Sequence, residues 1–479
     1  MASHALRRGR APSSAGVGLA AVGVAAVLGV ALAANVKIGM ALMAALVFVP
    51  LAVYSIPLAL CVWIVVVFLA QVPGLESIPN RTLLATTLCW IGLFAARRTQ
   101  AHGFIVAHRA PLFAAVAFVG WGAFTALWAP VPGITISTVK DLGYSLLAFV
   151  LIMLAINRPE YARWLAVAFV AGSVLSVLVG IAEGGLTTAA STIDTTASQQ
   201  GRFSGSAGDP NYLAAALVPG IMLAGGLAIK TRLTQRLALG FSVVIMTIGL
   251  AATQSRGGFI AITIAALLAL VIWRGRRLMI AALLVTVVVA LAGWFAASPD
   301  TWNRIRNFDD GGSGRTDIWT VAAHIGERHP IFGVGLSQFP QVSYRFVRQP
   351  GSLRAVYEIV DQGLVVHNVY LELWVETGLI GILLYLSLVA VCLRACWLAI
   401  AEFTLQRDEV MAGLARAALL ALVSSLLASI FLSNVTDRRI WFVLAFGPTL
   451  LAIARRQAVS AQAVSAPSLP APDQLAVWR

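Results

Sequence analysis

One histidine stands where a hydrophilic stretch gives way to a long apolar run. His367, Tyr370 and Trp374 follow the i, i+3, i+7 spacing of one helical face, and Glu376 lies further along the same helix. A histidine at the mouth of an apolar cavity can take a proton near neutral pH and so act as a general base. The other interpretation is structural, with His367 hydrogen-bonded inside the cap of the helix. The segment alone leaves both interpretations open.

Arg256 precedes a Gly257-Gly258 pair at the start of another apolar run. Paired glycines permit a tight turn, and the free N–H groups at the start of a helix favour an anion. A guanidinium adds two parallel hydrogen bonds that suit a phosphate group. The alternative is an arginine that extends to lipid headgroups. This segment alone favours neither interpretation.

Two further arginines, Arg202 and Arg315, lie near glycines and predicted helix ends. Arg202 leads into Asp209-Pro210, where the carboxylate is expected to cap a helix that begins with proline. Capping explains Asp209, whereas no such structural role explains Arg202. Arg315 opens a predicted helix after a glycine-rich stretch, so it is a third candidate for an anion site.

The elements that position these residues are predicted from the composition. The chain has 479 residues, of which 59% are hydrophobic and 11% charged, whereas soluble proteins carry about 25% charged residues. A spanning helix needs about 20 mainly apolar residues. The sequence therefore predicts an all-α polytopic membrane protein with 12–14 transmembrane helices.

The candidate spans are 15–34, 37–54, 56–72, 82–96, 110–128, 138–156, 162–182, 211–229, 234–253, 257–273, 278–298, 370–393, 412–432 and 440–454. No charge separates 37–54 from 56–72, so these are either two spans or one broken helical pair.

The basic residues predict a cytoplasmic location for both termini. In that orientation the cytoplasmic segments carry 20 Lys and Arg, the short outer loops 7 and the large outer loop 7. Because positive charge concentrates on the cytoplasmic side of membrane proteins, topology explains the net charge of +14 without nucleic acid. Arg202, Arg256 and Arg315 lie on the outer face against this bias, which makes them candidates for function.

Four regions follow from the spans. Residues 1–298 form an N-terminal transmembrane bundle, 299–369 a large outer-face loop, 370–456 the C-terminal transmembrane helices and 457–479 a disordered cytoplasmic tail. The outer loop is expected to contain an amphipathic helix that lies on the bundle or in the membrane interface. Its apolar face consists of Ile318, Trp319, Ala322 and Ile325.

No metal site is expected in the outer loop. His324 and His329 are five residues apart, which is poor spacing for two ligands on one helical face, so they are interpreted as ordinary interfacial histidines. Asp309 and Asp310 have no cluster of further ligands near them in the sequence.

Four segments occur in the order 202–211, 255–258, 314–335 and 367–381, and together they resemble the O-antigen ligase and O-antigen polymerase superfamily. The stretch His367-Asn368-x-Tyr370-Leu371, followed by Glu376-x-Gly378-x-x-Gly381, is similar to the family's signature around its essential histidine. The stretch from Arg202 to Asn211 and the turn from Ser255 to Gly258 resemble two further landmarks. Gly314-Arg315, Trp319 and the stretch from Pro330 to Gly335 resemble the start of the signature domain. The resemblance covers roughly residues 200–385.

The resemblance implies a GT-C-type membrane glycosyltransferase of polysaccharide or lipopolysaccharide biosynthesis in the cell envelope. Such an enzyme takes a glycan from a polyprenyl diphosphate, such as undecaprenyl diphosphate, at the outer face of the inner membrane. It transfers the glycan onto an acceptor hydroxyl of a glycan or lipid with inversion, and it needs no metal or other cofactor. The expected partners are the lipid-linked donor, the acceptor and membrane lipids.

The resemblance also implies residue roles. The diphosphate-binding residues would be Arg202, Arg256 and Arg315, because arginines and a helix N-terminus can stabilise the leaving group without Mg²⁺. His367 would take the proton of the acceptor hydroxyl. Support of the helix or contact with sugar is expected for Asn368, Tyr370, Trp374 and Glu376. Bracing the helix is the preferred role of Glu376, whereas sugar stacking and packing remain equal for the two aromatic residues.

Three functions remain open at this point. A ligase would end the glycan on an acceptor, and a polymerase would extend it on the lipid carrier. A transporter or flippase for lipid-linked glycans would also have many helices and outer arginines, but it would not explain a large loop that ends in His367 beside a spanning helix. The sugar, its linkage, the acceptor, the oligomeric state and the role of Arg438 and Arg439 are left open by the sequence.

Overall fold

The computed structural model describes residues 36–72, 74–95, 101–184, 202–273, 275, 277–297, 315–347 and 365–465. All regular elements in these ranges are helices, which confirms the predicted all-α class. The predicted span at 15–34 lies outside the described residues, as do 299–314 and 348–364 of the outer loop.

The helices of the described ranges are numbered here in chain order. They are α1 (Val36–Tyr54), α2 (Ile56–Phe68), α3 (Ile78–Ala95), α4 (Ala101–Phe124), α5 (Pro132–Ala155), α6 (Pro159–Gly184), α7 (Pro210–Leu227), α8 (Leu233–Ala252), α9 (Arg256–Ile272), α10 (Arg277–Ala297), α11 (Arg315–Arg328), α12 (Phe339–Val347), α13 (Val369–Leu405), α14 (Glu409–Ala428) and α15 (Arg438–Ser465). Short 3₁₀ segments lie at Thr125–Leu127, Gly205–Ala207 and Ser429–Phe431.

Within the described ranges, eight helices are long and apolar enough to cross a membrane. They are His108–Leu127, Pro132–Ala155, Pro159–Gly184, Pro210–Leu227, Leu233–Ala252, Val369–Leu405, Glu409–Phe431 and Arg438–Ala461. Shorter apolar helices are Ala45–Tyr54, Ile56–Phe68 and Arg256–Ile272. A multi-pass membrane protein is therefore confirmed. The fourteen spans predicted at most from the sequence add these three shorter helices, the span at 15–34, and the spans at 82–96 and 278–298, where the structure has α3 and α10.

Two helix ends lie later in the chain than predicted. α13 continues to Leu405 rather than 393, and α15 continues to Ser465 rather than 454. The disordered tail predicted from 457 is therefore helical at its start, because its first residues include good helix formers such as Gln and Ala. Residues 466–479 lie outside the described ranges.

Small residues bring α7 and α14 together in the interior of the bundle. A methyl group added at Gly226 would lie 2.4 Å from Ala417 Cβ, and one added at Gly413 would lie 2.0 Å from Ile229 Cδ1. Such close approach of backbones is typical of helix packing in membranes. This packing fixes the C-terminal end of α7, which is the end opposite to Asp209.

Gly378 interrupts α13 with φ 70° and ψ −173°, a conformation that is open essentially to glycine alone. The interruption frees the carbonyl groups of the preceding turn and the N–H groups of the following one. Trp121 Nε1 donates a hydrogen bond to one of these carbonyl groups, Thr377 O, at 2.8 Å. The other free groups pair with a distant segment, residues 330–339, which we call the strap.

The strap runs beside the interruption and pairs with it on both sides. Its Val334 and Gly335 N–H groups donate to Val375 O at 3.0 Å and to Glu376 O at 2.8 Å. On the other side, the N–H of Leu379 donates to Pro330 O at 2.8 Å. Because the strap directly follows α11, these bonds fix α11 and the first part of α13 relative to each other.

Candidate functional site

Local hydrogen bonds set the start of three helices that carry candidate residues. Asp209 Oδ1 accepts from Asn211 N at 2.7 Å and caps α7, as expected. Ser255 Oγ accepts from Gly258 N at 3.3 Å and caps α9, so Arg256 is the first residue of that helix. Asn368 Oδ1 accepts from Tyr370 N at 3.0 Å and caps α13, directly after His367. A fourth helix, α11, begins at Arg315.

The four helix starts converge in space. Arg315 lies within electrostatic reach of Asp209 and of Arg256. His367 lies within reach of Arg315 and of Asp209. The structure thus brings together two arginines, a histidine and a carboxylate from four separate parts of the chain, and we call this group the convergent cluster.

The convergent cluster is partly buried, and this burial lowers the pKa values of Arg315 and His367. Burial lowers the pKa of the Arg315 guanidinium, and the positive charge of Arg256 lowers it further, while Asp209 opposes the shift. Burial also lowers the pKa of the His367 imidazole, with a further contribution from Arg315 and opposition from Asp209. His367 is therefore neutral, and able to accept a proton, at lower pH than an ordinary histidine.

Arg315 is well placed to receive an anion. It is half-buried and makes no hydrogen bond or ion pair to another residue of the described ranges. A desolvated guanidinium beside a second one is stabilised by a negatively charged ligand. The N-terminus of α9 adds N–H dipoles of the same sign beside Arg256.

Arg202 has a different environment from the other two arginines. It is buried, its Nε donates to Thr253 O at 2.9 Å, and its Nη2 donates to Asn211 Oδ1 at 2.8 Å. Ser255 Oγ donates to the same Asn211 oxygen at 2.9 Å. These bonds join the segment that leads into α7 to the turn that begins α9, so Arg202 holds two helix starts of the cluster together.

Glu376 is buried and braces the strap. Its carboxylate accepts from Ser337 N at 2.6 Å and from Phe339 N at 3.1 Å, at the start of α12. The role preferred from the sequence was bracing of the helix, whereas in the structure the carboxylate accepts from residues of the strap. His367 is not among these partners.

Tyr370 and Trp374 are both half-buried and engaged in packing. Tyr370 Oη donates to Leu426 O at 2.9 Å, which ties α13 to α14. Trp374 packs so closely on α11 that a methyl group at Gly326 would lie 2.7 Å from its Cζ3 atom. This contact sets the distance between α11, which carries Arg315, and the start of α13.

The sequence analysis missed the segment 432–437, which we call the α14–α15 loop. His367 N donates to Ser433 Oγ at 3.0 Å, and Tyr212 Oη donates to Ser433 O. Asp437 in this loop pairs with Arg439 at 2.7 Å. Arg438 Nη2 donates to Asn80 Oδ1. The two arginines left unexplained by the sequence therefore anchor the loop beneath His367, and their position against the charge bias was the signal that could have revealed it.

Two further observations concern ligands and relatives. Within the described ranges, no three His, Cys, Asp or Glu side chains are grouped so as to hold a metal ion. Residues 241–386 match a protein-family model described as "O-Antigen ligase". The matched range includes Arg256, Arg315, His367 and Glu376 but not Arg202. The match supports the O-antigen ligase and polymerase superfamily and, in general terms, an O-antigen-ligase-like membrane glycosyltransferase. A search of curated proteins finds no match to the chain.

Proposed function

We propose that this protein transfers a glycan from a polyprenyl diphosphate carrier onto an acceptor hydroxyl, at the outer face of the inner membrane, without a metal ion. Both termini then lie in the cytoplasm, and the partners are the lipid-linked donor, a glycan or lipid acceptor and membrane lipids. The observation that carries the proposal is the convergent cluster, in which Arg256, Arg315 and His367 meet at helix starts.

The donor side of the reaction needs groups that stabilise a leaving diphosphate. Arg256 and Arg315 supply two positive charges, and the N-terminus of α9, which begins at Arg256, adds the positive end of a helix dipole. Preorganised donors of this kind contribute about 10²–10³ each in rate. Arg202 acts here as a positioning residue, because its hydrogen bonds hold the starts of α7 and α9 together.

The acceptor side needs a base. His367 takes the proton of the acceptor hydroxyl while the hydroxyl oxygen attacks the anomeric carbon. The bond from that carbon to the diphosphate oxygen breaks, and the oxygen keeps the electron pair. The diphosphate is a weak base and leaves without a proton, so one general base suffices. The lowered pKa of His367 keeps it neutral near pH 7.

A reconstituted assay tests the proposal. Purified protein receives a polyprenyl-diphosphate glycan, with and without a separate acceptor, and the products are separated by size. One transfer that depends on the added acceptor indicates a ligase, and a ladder on the lipid carrier indicates a polymerase. Movement of the donor across liposomes without any new glycosidic bond would contradict the proposal and support a flippase.

A matched pair of variants isolates the base. His367→Ala is expected to lose about 10²–10⁴ in rate, which is the usual contribution of a general base. His329→Ala is the control, because His329 is an exposed histidine at the end of α11 outside the cluster. Equal activity of the two variants would refute the role given to His367.

A further inference from the structure

His367 has an unusual backbone conformation. Its φ of 54° lies in the left-handed region, which side chains other than glycine rarely adopt. Such a conformation persists only when the surroundings impose it, and it is frequent at functional sites. In this conformation the imidazole lies within electrostatic reach of Arg315 and Asp209.

The group that meets the His367 backbone in this turn is a side chain from a distant part of the chain. His367 N donates to Ser433 Oγ at 3.0 Å. Asn368, the next residue, is already in use as the cap of α13. The Ser433 hydroxyl therefore links the strained residue to a distant part of the bundle.

Ser433 itself is held in place, because three carbonyl groups of the α14–α15 loop accept hydrogen bonds from three different helices. Tyr212 Oη of α7 donates to Ser433 O. Trp441 Nε1 of α15 donates to Val435 O at 2.8 Å, and Ser145 Oγ of α5 donates to Thr436 O at 3.0 Å. The position of the Ser433 hydroxyl group is thus fixed by hydrogen bonds from α5, α7 and α15 to the loop.

A half-buried carboxylate lies next to this hydroxyl. Glu372 is within hydrogen-bonding reach of the Ser433 side chain. Its Oε2 atom is buried and has no hydrogen-bond partner among the described residues. Because the Ser433 oxygen accepts from His367, its own proton is available to Glu372. The carboxylate therefore orients the hydroxyl so that a lone pair faces the His367 N–H group.

We propose that Ser433, oriented by Glu372, is a positioning residue that holds His367 in its left-handed turn, with the imidazole facing the acceptor site. This inference rests on the proposed function, in which His367 is the base. It assigns no chemical step to Ser433 or Glu372.

The test compares variants at one hydroxyl in the assay described above. Ser433→Ala is expected to lower kcat about 10²-fold with little change in the KM of the donor, since a misplacement of about 1 Å costs that much. Ser433→Thr keeps the hydroxyl and is expected to restore most of the loss. Ser429→Ala is the matched control, because Ser429 is buried and, among the described residues, its hydroxyl donates only to Ser425 O at 2.8 Å, one helical turn earlier.

Glu372 is tested by two further substitutions. Glu372→Gln keeps an oxygen that can accept from Ser433, whereas Glu372→Leu keeps only similar bulk. We expect the Leu variant to resemble Ser433→Ala and the Gln variant to retain more activity. Equal activity of both variants with the wild type would overturn the part assigned to Glu372.

A second readout needs no substrate. Diethyl pyrocarbonate modifies neutral imidazole, and mass spectrometry follows the rate at His367 against pH. The charged groups that face His367 are Arg315 and Asp209. When Ser433→Ala releases the turn, the imidazole leaves Arg315 and its surroundings, and the midpoint moves to higher pH. The groups that face Glu372 are Tyr212, Glu376 and Ser433.

The outcomes separate the two proposals. An active wild type with an unchanged kcat and an unchanged labelling midpoint in Ser433→Ala would overturn the positioning role alone. A wild type that forms no glycosidic bond would overturn the proposed function, whatever the labelling shows. Loss of activity in Ser433→Ala without rescue by Ser433→Thr, and with an unchanged midpoint, would also count against positioning.

Discussion

Substitution of Gly378 by Ala is expected to damage the site from a distance. The added methyl group would lie 2.0 Å from Ile331 O, whereas real contacts of this kind stay above 3.0 Å. The strap and α13 must therefore separate by about 1 Å or α13 must refold across the interruption. The backbone conformation of Gly378 adds a cost of about 1–3 kcal/mol for any side chain.

The displacement would reach the convergent cluster through two contacts. The strap is continuous with α11, which carries Arg315, and Trp374 packs α11 against the first part of α13. A shift of about 1 Å between Arg315 and His367 is expected to cost about 10²-fold in transfer rate. The strap also loses backbone hydrogen bonds worth about 1 kcal/mol each, so it should become more sensitive to protease.

Gly120→Ala is the matched control for this experiment. Gly120 lies in α4, and a methyl group added there meets no atom within 4 Å. Transfer rate and limited proteolysis of both variants are measured in the same detergent or in liposomes. Wild-type transfer and wild-type protease resistance in Gly378→Ala would refute the argument that the interrupted helix and the strap position the site.

Three further predictions concern the cluster itself. Arg256→Ala is expected to lower kcat at least about 10²–10³-fold, while membrane insertion and folding are kept. Arg81→Ala, at an exposed arginine, is the control. A wild-type kcat in Arg256→Ala would refute the contact of Arg256 with the diphosphate. EDTA is expected to leave transfer unchanged in metal-free buffer, and a strict requirement for a divalent ion would contradict the metal-independent mechanism. Because the pKa of His367 is lowered, kcat/KM should stay constant as the pH decreases to about 6.5, the pKa of an ordinary histidine, and should fall only at lower pH. A midpoint of this fall above about pH 6.5 would count against the environment described for the imidazole.

Features that depend on near neighbours could be predicted well from the sequence. The all-α membrane class follows from composition, and the starts of α7 and α9 follow from Asp209-Pro210 and from the turn before Arg256. A cap is formed between residues two or three apart, so its signal is present in a short stretch of sequence. The resemblance also pointed to His367, and this residue lies in the convergent cluster.

Features that depend on distant residues required the tertiary structure. Three outer arginines looked alike in sequence, yet Arg202 is buried against Thr253 and Asn211, whereas Arg315 faces the cluster. Ser433 and Glu372 could not be recognised from the sequence, because their proposed positioning role depends on contacts with each other and with His367, and these contacts exist only in the folded chain. Hydrophobic pattern and caps determine where helices begin and which segments enter the membrane. The packing of helices far apart in the chain decides which polar groups meet, since electrostatic and hydrogen-bonding contacts depend on distance in space.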